Sequence, residues 1–377
     1  MKFASVLALG CALAAAAPGA RAEIHIGVSA ALTGPAASLG VPVRNALSLW
    51  PQEIGGEKVV LHVLDDAGDP TAATKNARRF VEDKMDAIMG SANTPSTVAI
   101  AQVANEAKIP QLSPSPAELP EGRDVWTFRS VMHAAFFTEG LVDHLKRGNV
   151  KSIGFLGLSD AYGEVYLTAL NKQAPAAGLK VVAVERFTRA DTSVAAQALK
   201  VVAAAPDAVL VVAVGGGAAL PQKALAERGY KGKIYHTSAS ISPDFLRLAG
   251  KDANNALVVS GPEQLPEQMP ASNPGREVAL RFYQQYEAKF GAGTVTQFAA
   301  NVYDLGLVLQ QAVPAALKKA KPGTPEFRAA LRDAIENSGS VIVTKGALQY
   351  SPSNHWGHGP EARVMLVVQD GQWKLAR

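Results

Sequence analysis

Hydrophobic and polar positions follow two periods along this chain. Short runs rich in Val, Ile and Leu occur at 24–29, 59–64, 87–90 and 109–112, and again at 153–158, 181–185, 208–214, 234–236 and 257–260. Each is short and β-branched enough to predict a strand. Between the runs, apolar residues recur at helical spacing. After Asp69, for example, Ala73, Ala77, Phe80 and Val81 share one face, which predicts a helix packed on a sheet. Strands that alternate with such helices build parallel sheets with crossover helices, and two series predict two α/β lobes. Helix starts are marked at Asp69-Pro70, Thr94-Pro95, Ser242-Pro243 and Thr324-Pro325. Each reads as a capping residue followed by proline at the first helical position, where its missing N–H leaves no bond unmade. The stretch 264–275, rich in Pro, Asn and Ser, reads as an exposed connection with a lobe crossover just before it.

The N-terminus changes the picture. Lys2, the apolar run 6–17 and Ala20-Arg21-Ala22 form a secretory signal with a small-x-small cleavage site, which predicts a mature chain beginning near Glu23. Cys11 is the single cysteine. It sits ahead of most of the apolar run and behind Ala8-Leu9-Gly10, a poor lipidation box, so the expected exported protein has no thiol for disulfides or catalysis. No second apolar run reaches membrane-spanning length. At 377 residues the chain exceeds one ordinary core. Its formal charge of +4 falls by two when Lys2 and Arg21 leave, and the remaining charges are interspersed, a pattern that does not suit nucleic acid.

Catalytic signatures are missing. Gly215-Gly216-Gly217 follows a predicted strand but lacks the spacing that admits a dinucleotide, and no phosphate-loop lysine follows. There is no GxSxG elbow, HExxH zinc motif or SxxK pair. His355 and His358 flank Trp356-Gly357, and two histidines without a third ligand read as a solvated turn before a metal site. The expectation is a binding protein, not an enzyme, with no cofactor and no metal.

Four motifs carry a resemblance. IGVSAALTGPAASLG (26–40), VLDDAGDPTAA (63–73), the triplet Ser113-Pro114-Ser115 and SDAYGE (159–164) occur in this order, and across essentially the whole mature length the chain resembles the leucine/isoleucine/valine-binding family of periplasmic proteins that serve ABC importers. The resemblance implies a type I periplasmic binding fold: two Rossmann-like lobes with parallel-rich sheets, joined by three crossovers and closing on a ligand by hinge motion. It places an N-terminal lobe at 23–141 plus 263–348 and a C-terminal lobe at 142–262 plus 349–377. It implies a monomer in the periplasm, a small-molecule ligand and a membrane permease as partner. A ligand-sensing module for a membrane receptor is the alternative of another class. The stretches 312–336 and 351–359 also resemble a subgroup that binds benzoate-like or phenylpropanoid acids.

Candidate site residues follow from strand ends and from that family. Gly90 ends a predicted strand and Thr94 opens the next helix, so N–H groups and the positive helix end suit a carboxylate; Asn93 stands beside it. Ser115 lies in a proline-stiffened loop. Tyr162 matches the family's cleft tyrosine, which covers the ligand, and Leu39 occupies a wall position often aromatic in relatives. Phe298 and Asn301 open a helix within reach. The departures concern the ligand's amine. Relatives that bind amino acids carry a threonine near Ala117, a tyrosine near Ala213 or Val214, and near Ser238 a carboxylate that neutralises the ligand ammonium. Burying an ammonium without an acid is costly. The expected ligand is therefore a hydrophobic or aromatic carboxylate, with a branched-chain amino acid as the alternative should Glu185, Asp191, Asp160 or Glu263 supply the missing charge.

Overall fold

The computed structural model describes residues 22–376; the expected signal, Ala22 apart, lies outside the described residues. The chain first runs through β1 (Ile24–Ala30), α1 (Ala37–Leu47), β2 (Glu53–Ile54), β3 (Glu57–Asp65), α2 (Pro70–Glu82), β4 (Ala87–Gly90), α3 (Thr94–Ala107), β5 (Gln111–Ser113) and β6 (Thr127–Arg129). These strands form one sheet in the order β2-β3-β1-β4-β5-β6, parallel from β3 to β6. β1 is buried along nearly its whole length. That burial matches its almost unbroken apolar sequence, because helices cover both faces of a parallel sheet.

A second series follows: α4 (Ala134–Arg147), β7 (Ser152–Leu158), α5 (Ala161–Gln173), β8 (Lys180–Phe187), α6 (Ala195–Ala203), β9 (Ala208–Val212), α7 (Ala219–Glu227), β10 (Lys233–His236), α8 (Pro243–Ala249) and β11 (Leu257–Ser260). The chain then returns to the first lobe as α9 (Arg276–Phe290), α10 (Gln297–Leu317) and α11 (Pro325–Glu336), with α10 packed on α1 and α11. A hairpin, β12 (Ser340–Val343) and β13 (Gly346–Gln349), precedes β14 (Val364–Gln369) and β15 (Gln372–Leu375). The second sheet has the order β15-β14-β11-β10-β9-β7-β8, with β14 and β15 antiparallel at its edge.

In the first sheet the chain adds β3 on one side of β1 and β4 on the other; in the second it adds β8 and then β9 on opposite sides of β7. Such reversals open a crevice at the carboxyl ends of the strands. The expected two-lobed α/β architecture is present.

Details depart from expectation. β5 starts at Gln111, after Pro110 has supplied a carbonyl but no N–H. Asp69, Ser242 and Thr324 cap their helices as predicted. Thr94 does not. It is the first helical residue, Asn93 holds the cap position without a side-chain capping bond, and the Thr94 hydroxyl turns to Ser115 instead. The connection after β11 is buried through Gly261–Gln264 and again at Pro266 and Met269, becoming mostly exposed only beyond. Its Glu263 faces the Lys345 ammonium at 3.7 Å, and Lys345 pairs with Asp304 at 3.1 Å. Helix α4, which spans the expected 141/142 boundary, packs on α5 and β11. Residues 350–358 remain against β6: Tyr350 donates to the Arg129 carbonyl at 2.7 Å, and Arg129 N–H donates to the His355 carbonyl. His355 bridges the Asp124 carbonyl and Glu336, whereas His358 Nε2 faces the Ser130 carbonyl at 2.9 Å. The two histidines fasten this connection in place of the solvated turn expected of them.

Candidate ligand-binding cleft

The loops that leave β1, β4, β7 and β9 face one another across the lobes. After β4 the chain reaches α3 through Gly90, whose Cβ, if present, would stand 2.0 Å from the Ser29 carbonyl oxygen at a φ of +126°. Only glycine fits that approach. Thr94 Oγ1 and Ser115 Oγ lie 2.8 Å apart, both buried. One hydroxyl proton serves that mutual bond, and the second is free for another acceptor. Ser115 is held from behind, its N–H donating to Ser113 Oγ at 3.2 Å.

On the opposite wall, Asp160 caps α5 by accepting from Tyr162 N–H and Gly163 N–H at 2.9 and 3.2 Å. Its other oxygen accepts from Arg189 Nε at 2.8 Å. Tyr162 donates its hydroxyl to Thr237 Oγ1 at 2.7 Å, which in turn donates to the Ala213 carbonyl. Burial pushes the Tyr162 and Tyr166 phenols well above their ordinary range, so both stay neutral. Their rings meet edge-on at 5.1 Å, as residues four apart on one helix face do.

These walls line a narrow, nearly closed cleft with a cavity volume of about 10 Å³. Of the sequence-predicted residues, Leu39, Thr94, Tyr162, Ser238 and Phe298 line it. Ser115 sits behind the wall, joined to it through Thr94. Asn93 and Ala117 turn elsewhere, since Asn93 Nδ2 donates to the Gly68 carbonyl and the Ala117 carbonyl accepts from Arg129 Nε, each at 2.7 Å. Asn301 is not on the wall and accepts through its carbonyl from Ser130 Oγ. Sequence reasoning missed Arg189, Tyr166 and Gln297, which do line it. Arg189 closely follows the end of β8, and a basic residue just past a strand's carboxyl end was the available signal. A second space of about 100 Å³ adjoins through Leu39, Arg189 and Val214. At its rim a Cβ on Gly215 would stand 3.4 Å from Ser38 Oγ, so the two lobes touch there.

No carboxylate lines the inner cavity, and each acid proposed for an ammonium is engaged. Asp160 holds Arg189, Glu185 holds Lys200 at 3.2 Å, Asp191 accepts from Thr188 N–H at 2.7 Å, and buried Glu263 faces Lys345. The wall offers hydroxyls, aromatic faces and a guanidinium, groups able to hold an apolar body that carries an acceptor.

Comparison with known proteins agrees with this architecture. A family model described as periplasmic binding protein matches residues 23–372. A Leu/Ile/Val-binding protein homolog of Brucella melitensis biotype 1 is 23% identical over 345 residues, covering 89% of each chain. An extracellular ligand-binding receptor from Rhodopseudomonas palustris HaA2 superposes with a TM-score of 0.92 at 45% identity, over 94% of this chain and 100% of the other. A solute-binding protein of an ABC transporter from Rhodopseudomonas palustris, solved with benzoate, shares the fold at 18% identity and a TM-score of 0.76, over 94% of this chain and 95% of the other.

Proposed function

This chain belongs to the periplasmic binding protein family, and we propose that it captures a small aromatic or other hydrophobic carboxylate in its interlobe cleft and delivers it to the permease of an ABC importer. The observation that carries this reading is the inner wall, which presents the Thr94 hydroxyl, backed by Ser115, and no acidic side chain. In this reading the spare hydroxyl proton and the start of α3 hold the carboxylate, while Leu39, Phe298 and the Tyr162 ring bury the ligand body. Closure of the lobes excludes water and strengthens those contacts. Cleavage of the signal near Ala22 would leave the protein monomeric in the periplasm. No helix among the described residues is long and apolar enough to cross a membrane.

The names of the Brucella relatives favour a second reading, a branched-chain amino acid. Its ammonium would meet the Arg189 guanidinium, with Asp160 already paired to that cation and Asp191 lining only the adjoining space, an arrangement that low dielectric penalises. A substitution tests the first reading. Thr94→Val keeps the shape and removes the hydroxyl, so benzoate affinity measured by calorimetry falls about tenfold to a hundredfold, the worth of a hydrogen bond to a charged group. Unchanged affinity for benzoate would contradict it.

A further inference from the structure

Arg189 is the one cation on the inner wall and also lines the adjoining space. Its side chain is 23% exposed, as is that of its partner Asp160. Among the described residues, the only hydrogen bond that its guanidinium makes is from Nε to Asp160. The terminal Nη groups are therefore uncommitted donors, and a guanidinium has no acceptor with which to satisfy anything else. When the lobes exclude water, such donors weaken the closed state unless the ligand supplies an acceptor. Asp160 decides what kind. Its carboxylate balances the guanidinium charge and is itself fixed by two backbone N–H groups of α5, so a second anionic group brought here would meet a carboxylate as well as a cation.

We propose that Arg189 is a specificity-determining residue which selects, among the carboxylates admitted by the reading above, those bearing a neutral oxygen (ether, hydroxyl or carbonyl) at the end remote from the carboxylate. Thr94 on the first lobe takes the acid group, and Arg189 on the second takes the oxygen. The ligand then spans the lobes with a polar group at each end, and closure is favoured only when both ends are matched. The inference rests on the carboxylate reading but adds a requirement that the first lobe alone cannot impose.

A pair of isosteric probes tests it: 4-methoxybenzoate and 4-ethylbenzoate differ by one oxygen in place of a methylene. Calorimetry on the full mature protein is expected to show the methoxy acid binding at least about tenfold tighter, and Arg189→Met is expected to bring the ratio close to one. Because Arg189→Met leaves Asp160 without its cation, the double variant Asp160→Asn/Arg189→Met serves beside it. Asparagine retains the oxygen that caps α5, and the same loss of preference is expected. Equal affinity of the unaltered protein for the two acids, or a preference that survives in both variants, overturns the assignment of Arg189 while leaving the carboxylate reading standing. Failure of the unaltered protein to bind either acid overturns the carboxylate reading itself.

Discussion

Single residues set the charge balance of this molecule. His236 is fully buried, its Nε2 2.7 Å from Gln222 Oε1, with Phe245 edge-on at 4.9 Å. Burial pushes its pKa down to about 3, and that of His358 likewise to about 3. Both rings are thus neutral in the folded protein at pH values where an unfolded histidine, near pKa 6.5, binds a proton. The unfolded state then holds more protons, so stability falls as pH drops from about 6.5 towards 3, each ring contributing up to about 1.4 kcal/mol per pH unit. Melting temperatures recorded between pH 6.5 and 5, above the titration of ordinary carboxylates, should decline, and His236→Gln should melt lower at pH 7 but with a shallower decline. A flat profile in that window would contradict the assignment. At this scale Thr94 and Phe298 were legible because each stands at the start of a helix, whereas Leu39, Tyr162 and Ser238 came from the family resemblance; all five line the cleft. Arg189, whose orientation depends on Asp160 from a separate loop, went unremarked, and Asn93 and Ala117 turn away from the wall. Whether a residue next to the wall points into the cavity is decided by packing and not by spacing.

Elements carry these side chains to the cleft, and their approach to the sheet is exacting. A Cβ on Gly163 would stand 1.7 Å from the Leu158 carbonyl oxygen, so α5 lies against the end of β7 as closely as backbone allows. Gly163→Ala must push the helix outward, carrying Tyr162 and the Asp160 cap with it. The expected cost is about 1–3 kcal/mol of stability, with ligand affinity lowered at least about tenfold, since small misplacement in a closed site is expensive. Gly217 makes the contrast, with nothing within 4 Å of an added Cβ, and Gly217→Ala should melt within about 0.5 kcal/mol of the unaltered protein. Equal melting and equal affinity for the two variants would refute this account of α5. The central strands and Pro-marked helices were readable because a buried parallel strand is a nearly unbroken apolar run, as in β1. Strands β2, β6, β12, β13 and β15 escaped because they are short or lie at edges, where neighbours rather than local sequence decide pairing; the six-residue β14, paired on both sides, was missed although its run is apolar.

At the scale of the whole molecule, two sheets share one logic: a reversal of strand order opens each crevice, and the crevices face one another. The chain joins them at Ser130, at the buried turn around Glu263 and through the segment held by Tyr350, His355 and His358. The buried Asp304–Lys345 pair, with Glu263 beside it, ties the second of these connections to the first lobe. Breaking such a pair leaves a charge uncompensated, so its geometry resists drift. Two of the connections were difficult to read from sequence because they depend on contacts between residues more than a hundred positions apart, Ser130 with Asn301 and Tyr350 with Arg129. What the molecule does depends on the cavity that these parts enclose, and calorimetry comparing 4-methoxybenzoate with leucine under identical conditions tests it most directly. Micromolar or tighter binding of 4-methoxybenzoate with no measurable heat from leucine is the predicted result; tight binding of leucine with 4-methoxybenzoate ignored would contradict the account.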